Sequence, residues 1–155
     1  MNNNKMSDNT QNPATIHPFG DEITLDSLLI DFQKSKAWED KYRLLIQLSR
    51  KLPALPDELK TTEKEIKGCE NRVWLGVELK ANDKYHVYGD SDGRIVKGLL
   101  TIILTAVENK TAQEIADIDM LAIFDQLGLA NQISQSRTDG VNAIIARLKS
   151  LTSQS

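Results

Sequence analysis

The sequence of 155 residues contains one cysteine, Cys69. A single thiol excludes a disulfide within the chain, a CxxC redox pair, and zinc or iron–sulfur sites built from several cysteines of one chain. Any thiol chemistry must therefore be that of one cysteine acting alone. From composition, Cys69 is either a buried packing residue or a nucleophile, and both interpretations stand at this point.

The sequence also lacks long apolar runs and a basic stripe. Its longest apolar run, "GLLTIILTAV", is about half the length that crosses a bilayer. Net charge is −3, with the cations scattered among the acids, unlike a nucleic-acid-binding surface. We expect no membrane and no nucleic-acid partner. The N-terminus lacks the features of a secretion signal or transit peptide, which together with the unpaired thiol favours the cytoplasm.

Composition is that of a globular protein, with 40% hydrophobic and 26% charged residues. A chain of this length buries about two thirds of its unfolded surface in one core. Residues 1–16 are rich in Asn, Ser and Thr and predict a flexible leader. The rest, residues 17–152, predicts a single domain.

Helical periodicity dominates the first part of that domain. Apolar residues spaced three and four apart predict a first helix from Leu25, with Thr24 as its N-cap. A second stripe from Trp38 to Leu52 predicts another helix. This helix should end by Leu52, because the prolines of "PALP" remove backbone donors.

The period then changes to two. Alternation from Val73 to Leu79, the polar turn "ANDK" and the short "YHVYG" predict an antiparallel hairpin over about residues 72–89. A core helix from Ile95 to Val107, two short helices and a last helix over about residues 138–151 follow. This order of elements predicts an α+β domain, with a small antiparallel sheet packed against several helices.

Cys69 lies in the connection that leads into the first strand. Connections are usually at the surface and often carry function. Gly68 allows a sharp turn, and the charges of Lys67 and Arg72 are expected to favour the reactive thiolate. Position therefore favours chemistry over packing.

Histidine partners for this thiol are few. A Cys–His hydrolase needs a histidine within hydrogen-bond reach of the sulfur, and the chain offers only His17 and His86. His86 lies on the predicted return strand, where a structural role is the commoner one. The hydrolase is the weakest of the functional alternatives.

Two further segments suggest sites without completing them. "GDSDGRIVKG" lacks the acidic ligands of an EF-hand and the residue order of a Walker A loop, so we interpret it as a turn capped by Ser91 or Asp92. "SQSRTDG" reads as a loop capping the final helix through Thr138 or Asp139. Whether Arg137 in this segment contacts the cysteine loop is left open by the sequence.

Motifs across the chain match one family. "GCENRVWLG", "YGDSDGRIVKGLL" and "SRTDG" closely resemble the SufE/CsdE family of sulfur-acceptor proteins, and "HPFG" and "WEDKYRLLIQLSRKLPALPDELK" fall in the same order. The resemblance covers nearly all of the chain after the leader. Glu70 and Asn71, with "HPFG", are more similar to the CsdE branch.

This resemblance implies that Cys69 accepts sulfane sulfur from the persulfide of a cysteine desulfurase. It also implies that the protein stimulates that enzyme and passes sulfur toward iron–sulfur cluster assembly, as a carrier rather than a stand-alone enzyme. Pyridoxal phosphate would belong to the desulfurase, and no cofactor to this chain. Glu70, Asn71 and Arg72 are expected at the docking rim, and Arg137 as a neighbour of the loop. The main rival is an activator that carries no sulfur.

Overall fold

The computed structural model describes residues 12–153. Over these residues the chain forms six α-helices, two 3₁₀ turns and one three-stranded antiparallel sheet, which confirms the predicted α+β class. The helices are α1 (Leu25–Lys34), α2 (Trp38–Lys51), α3 (Arg94–Val107), α4 (Ala112–Ala116), α5 (Met120–Gln126) and α6 (Gln135–Ser153). The strands are β1 (Val73–Leu79), β2 (Lys84–Ser91) and β3 (Lys110–Thr111), and the 3₁₀ turns are Pro13–Thr15 and Asp57–Leu59.

The predicted leader, residues 1–16, lies mostly outside the described residues. Its last part is folded, since Pro13–Thr15 form a 3₁₀ turn and Thr15 is buried. The carbonyl of Thr15 accepts a hydrogen bond from the His86 ring, 2.9 Å away. This contact with β2 thus holds part of the predicted leader against the sheet, in a segment whose sequence has no apolar stripe.

The first two helices have the predicted ends. Thr24 and Ser27 form a capping box, in which each side chain accepts the other's backbone N–H at 3.2 Å. Helix α2 ends at Lys51, two residues before Pro53. Local capping and proline chemistry therefore determine these boundaries.

The hairpin is confirmed and slightly longer than predicted. Val73 pairs with Ser91 and Leu79 with Tyr85, and the turn carries Asp83 in a left-handed conformation with φ 64°. Strand β3 adds to the start of β2, giving the order β1-β2-β3. Strand β2 extends to Ser91 because β1 supplies a partner as far as Val73.

Helix α3 is the centre of the core. All but two of its residues are buried, and it packs against α2 and β2. An added Cβ at Gly98 would overlap the carbonyl of Leu45, so this glycine allows the two helices to cross closely. With 14 residues, α3 is only about 21 Å long. Among the described residues, no helix combines the length and apolarity that a membrane span requires.

The second face of the hairpin is covered as well. Trp74 is 4% exposed and packs with Leu55 and Tyr88. The segment after α2 folds over this face and is anchored there, because the backbone N–H of Leu55 donates to the carboxylate of Asp90 at 3.0 Å. The Lys60 ammonium lies 4.9 Å from the centre of the Trp74 ring. Trp74 is therefore a packing residue.

The start of the last helix differs from the prediction. Helix α6 begins at Gln135, so most of "SQSRTDG" is helical and neither Thr138 nor Asp139 is the cap. The carbonyl of Ser134 accepts the N–H of Thr138 at 3.0 Å, and its hydroxyl accepts the N–H of Arg137 at 3.4 Å. Ser134 thus caps the helix, and Arg137 lies in its first turn.

Candidate functional site

Cys69 occupies the tip of a loop with a β-like stem. The N–H of Ile66 donates to the carbonyl of Val73 at 2.8 Å, and the N–H of Leu75 donates to that of Lys64 at 3.0 Å. Glu65 and Trp74 form an antiparallel bridge between these bonds. The two sides of the loop are therefore joined, and we call residues 67–72 between them the cysteine loop.

Gly68 gives the cysteine loop its turn. Its φ is 89°, in the left-handed region that disfavours side chains. An added Cβ would meet nothing within 4 Å, so backbone conformation alone explains the glycine. The sharp turn leaves Gly68 exposed and directs the next side chain toward helix α6.

The Cys69 thiol is half-buried against α6. Its Sγ lies 3.7 Å from the carbonyl oxygen of Gly140, to which it donates a hydrogen bond. This is a weak bond, since S–H is a poor donor. An added Cβ at Gly140 would lie 3.6 Å from Sγ, so a larger residue here would come into van der Waals contact with the sulfur.

Burial raises the pKa of the Cys69 thiol above its usual value. The expectation that basic neighbours would favour the thiolate is therefore wrong for the free protein. Lys67 is exposed, and the Arg72 guanidinium is paired with Glu65. The free protein therefore favours the thiol, which is half-buried and donates to Gly140.

The residues after the cysteine join the loop to its surroundings. Glu70 accepts a hydrogen bond from the Ser136 hydroxyl of α6 at 3.1 Å. Asn71 packs over Gly93, where an added Cβ would collide with the Asn71 side chain. The backbone N–H of Arg72 donates to the Asp92 carboxylate at 3.0 Å. Asp92 was predicted as a helix cap, but α3 starts without a side-chain cap because this carboxylate serves the cysteine loop.

Arg72 forms the most elaborate side-chain contact of the loop. Its guanidinium donates two hydrogen bonds to the Glu65 carboxylate, at 3.2 and 3.0 Å. The guanidinium carbon lies 4.9 Å from the centre of the Trp74 ring. The side chain of Arg72 is nevertheless 61% exposed, so its outer edge faces solvent beside the cysteine.

Arg137 is in the same part of α6 as Ser136 and Gly140. Its Nε atom is buried and lacks a hydrogen-bond partner among residues 12–153. Within that range, no hydrogen bond or ion pair joins Arg137 to the cysteine loop. The open question from the sequence is answered in part: Arg137 lies one turn from Gly140, without direct bonding to the loop.

His86 has no nitrogen available for the sulfur. The side chain is 1% exposed, with Nδ1 2.8 Å from a Glu108 carboxylate oxygen and Nε2 2.9 Å from the carbonyl of Thr15. Both partners are acceptors, so the geometry suits the imidazolium form, which donates from both nitrogens. Burial works against this charge, yet the bond to Glu108 and its charge raise the pKa of His86. The Cys–His hydrolase therefore has no base in this residue.

His17, His86 and Glu108 are the one group of described residues close enough to ligate a metal. His17 accepts the N–H of Phe19 at Nδ1, 3.1 Å away, and its Nε2 donates to the carbonyl of Val87 at 2.7 Å. This pattern fixes a neutral ring with both nitrogens occupied, in keeping with the lowering of its pKa by burial. With both histidines committed to other bonds, the cluster is a hydrogen-bond network and unsuited to metal binding.

Sequence reasoning identified Cys69 but missed Glu65, Ser136 and Gly140. Gly140 was visible in "SRTDG", yet it contacts the cysteine across 71 positions, a distance that no local pattern reports. Glu65 was visible as a charge before the strand. Glu65 lies opposite Arg72 because the two sides of the loop pair in the stem. The alternation of apolar residues did not predict that this pairing extends back to residue 64.

Comparisons with known proteins agree with this geometry. The SufE model, described as an Fe-S metabolism associated domain, matches residues 26–152. The sulfur acceptor protein CsdE of Escherichia coli K12 is 54% identical over 138 residues, covering 89% of this chain and 94% of that protein. An uncharacterized SufE-like protein of Rhizobium meliloti is 38% identical over 130 residues, covering 82% of this chain and 93% of its own. The predicted resemblance is confirmed.

The fold also matches a solved structure. The solution structure of a hypothetical protein from Thermus thermophilus aligns with a TM-score of 0.67, covering 84% of this chain and 93% of that chain. Sequence identity is 17%. The match extends to the fold and carries no statement about activity.

Proposed function

The chain belongs to the SufE family, and on that premise we propose that it is a sulfur acceptor and carrier. Cys69 takes sulfane sulfur from a persulfide on a cysteine desulfurase and passes it on toward iron–sulfur cluster assembly. The observation that carries this proposal is the placement of the only cysteine at the tip of a stem-anchored loop, with its sulfur held by one weak bond to Gly140. A tip so held can leave α6 without unfolding the domain.

The proposed transfer is an exchange between sulfur atoms. The Cys69 thiolate attacks the outer sulfur of the donor's persulfide, forming a new S–S bond as the donor's own S–S bond breaks. The donor cysteine leaves as a thiolate and takes up the proton that Cys69 lost. Cys69 now carries the sulfur as a persulfide, and no external oxidant or reductant takes part. A second cysteine beside it would attack this persulfide and discharge it, so one thiol suits the role.

The resting geometry makes transfer depend on the donor. Because the buried thiol is protonated, its reactive fraction is small until the tip moves out. Donor binding then draws Cys69 from Gly140 into a more polar setting, where the thiolate forms more readily. The return of the loaded tip toward α6 shelters the persulfide from oxidants.

Residues around the tip form the proposed docking rim. Glu70 and Arg72 are exposed, and Asn71 lies between them above Gly93. Arg137 is partly exposed in the first turn of α6, beside Ser136, which Glu70 contacts. A donor that reaches Cys69 must pass this rim, and its charges favour a donor surface that carries both signs.

The proposed partners follow from this role. The donor is a cysteine desulfurase, whose pyridoxal phosphate stays on the donor, and the recipient is a downstream acceptor such as an iron–sulfur scaffold. This chain then needs no cofactor of its own. A reducing cytoplasm, which keeps a lone thiol free, is the setting that suits it.

Desulfurase turnover separates the carrier from an activator that carries no sulfur. Stimulation of the donor's sulfide release from free cysteine is measured with the wild-type chain and with Cys69→Ser. We expect stimulation by the wild type and its loss in Cys69→Ser, with binding to the donor retained. Stimulation of equal size by both proteins would contradict the carrier and support the activator.

A further inference from the structure

The cysteine loop is held unequally at its tip and at its base. The tip contacts are the bond from Cys69 to Gly140 and the bond from Ser136 to Glu70, the first long and the second exposed. The base has two backbone hydrogen bonds, of 2.8 and 3.0 Å, between the stem strands. Motion of the loop is thus expected at the tip, with the base as its fixed end.

One ion pair closes the base from side to side. Glu65 lies in the first stem strand and Arg72 at the end of the loop, and the carboxylate receives both bonds from the planar guanidinium. Such a two-point contact fixes orientation as well as distance. The Glu65 side chain is 19% exposed, so it is the better anchored of the two partners.

Arg72 is also held through its backbone. Its N–H donates to the Asp92 carboxylate, and its carbonyl accepts the N–H of Asp92 at 3.2 Å. Its guanidinium lies over the Trp74 ring. Arg72 is therefore the anchor at the C-terminal end of the loop, and Glu65 joins it to the N-terminal end.

We propose that Glu65 is a positioning residue for sulfur transfer: through Arg72 it fixes the base of the cysteine loop, so that Cys69 alone swings toward the donor. This inference rests on the proposed sulfur transfer. Glu65 does not touch the reacting sulfur. It acts by restricting the directions in which the tip of the loop can move and by holding the outer edge of Arg72 at the docking rim.

The proposal predicts effects of opposite sign on two reactions of the same thiol. Loss of the ion pair between Glu65 and Arg72 lets the base of the cysteine loop open, so a small alkylating reagent reaches Cys69 more often. The same mobility of the loop base misplaces Cys69 relative to a donor persulfide, which the thiolate must approach in one geometry. Sulfur transfer therefore slows. A residue that only stabilised the domain would not separate the two reactions.

The test uses Glu65→Gln in the full chain, with Asp40→Asn as the matched control. Asp40 forms an exposed ion pair with Arg43 at 3.1 Å within helix α2, so the control removes the same charge from a pair outside the cysteine loop. We expect Glu65→Gln to raise the alkylation rate about twofold to fivefold, as loss of one exposed ion pair implies. Sulfur transfer from a persulfide-loaded desulfurase should slow about tenfold, because small misplacements are costly in such reactions. Asp40→Asn should alter neither.

Two further variants keep the test decisive. Adding Glu65→Gln to Arg72→Gln should slow transfer no further than Arg72→Gln alone, because without the guanidinium Glu65 has no partner through which to act. The exchange Glu65→Arg with Arg72→Glu should recover part of the transfer rate. Should Glu65→Gln fail to fold, Glu65→Asp, which keeps the charge but is too short for both bonds, replaces it with the same expected signs.

Several results would overturn the proposal. Wild-type rates of alkylation and transfer in Glu65→Gln would show that Arg72 keeps its place without Glu65, as would a loss of transfer that occurs in Arg72→Gln but not in Glu65→Gln. Alkylation and transfer falling together with the melting temperature would show a merely structural role. If the wild type takes no sulfur at all, the proposed function fails, while the alkylation rates still decide whether Glu65 holds the loop base.

Discussion

Replacing Glu108 with glutamine tests the buried charge that holds the N-terminal segment. In the wild type, one Glu108 oxygen lies 2.8 Å from His86 Nδ1, and the other accepts the N–H of Val87 at 3.0 Å. His86 also donates to Thr15, so the charged ring joins the end of helix α3 and the segment before His17 to β2. Glutamine preserves the size of the side chain and removes its charge.

The expected loss follows from the burial of both partners. Breaking a buried ion pair costs about 3–5 kcal/mol when one charge is left unpaired. Here the Glu108 side chain is 10% exposed and His86 escapes part of the penalty by losing its proton. We therefore expect the free energy of unfolding to fall by about 2–3 kcal/mol. For a chain of this size the melting temperature should fall by about 4–12 °C.

Urea unfolding of both proteins over about pH 6 to 9 measures the loss and its pH dependence. Because Glu108 raises the pKa of His86 in the folded state, the ion pair contributes fully below the unfolded value of 6.5. The contribution is lost as the pH rises through the folded pKa, so the difference in stability between the wild type and Glu108→Gln should shrink as the pH rises through this window. A loss of unfolding free energy below about 0.5 kcal/mol, with no change in its pH dependence, would refute the buried charge interaction between Glu108 and His86.

Three further predictions concern the cysteine and the second face of the hairpin. Gly140→Ala should raise the free energy of unfolding by up to about 1 kcal/mol, since alanine favours helix. It should also slow persulfide formation on Cys69, because the added methyl lies 3.6 Å from Sγ and contacts it. A lower melting temperature or unchanged sulfur uptake would contradict this prediction. Alkylation of Cys69 should titrate with a midpoint above the ~8.5 of a free thiol, because burial raises its pKa; a midpoint at or below that value would contradict the resting geometry. Burial opposes a charge on Asp90, but Lys97 and backbone donors lower the pKa of its carboxyl group. The stability that the charged Asp90 contributes is therefore present above pH 3.8 and is lost as the pH falls through the folded pKa. Asp90→Asn should therefore weaken the acid dependence in urea titrations, and an unchanged acid limb would count against it.

Local patterns predicted the secondary structure well where local chemistry determines it. Thr24 caps α1, the prolines follow the end of α2, and period-two alternation located the hairpin. One error occurred where a tertiary contact overrides the local preference. Asp92 has the chemistry of a helix cap, but its carboxylate binds the N–H of Arg72 across the turn. At α6 the error was local, since Ser134, earlier in its segment than either predicted cap, caps the helix.

The candidate site was predicted in its central residue and not in its setting. Cys69 was conspicuous as a lone thiol beside Gly68. Gly140, whose carbonyl accepts the hydrogen bond of this thiol, lies in the last helix and was not predicted. The expectation of a favoured thiolate was wrong because burial raises the pKa of the thiol, and Arg72 had been counted as a free charge. Its pairing with Glu65 depends on a stem that sequence alternation did not reveal. Pairing and burial are properties of the assembled fold, and they decide the reactivity of a cysteine.

The most direct test of the central claim is the mass of the intact chain after incubation with a cysteine desulfurase and free cysteine. We expect the wild type to gain the mass of one sulfur atom, a reductant to remove it, and peptide mapping to place it on Cys69. Cys69→Ser should gain nothing under the same conditions. An unmodified wild-type chain beside a desulfurase that turns over and binds it would contradict sulfur transfer through Cys69.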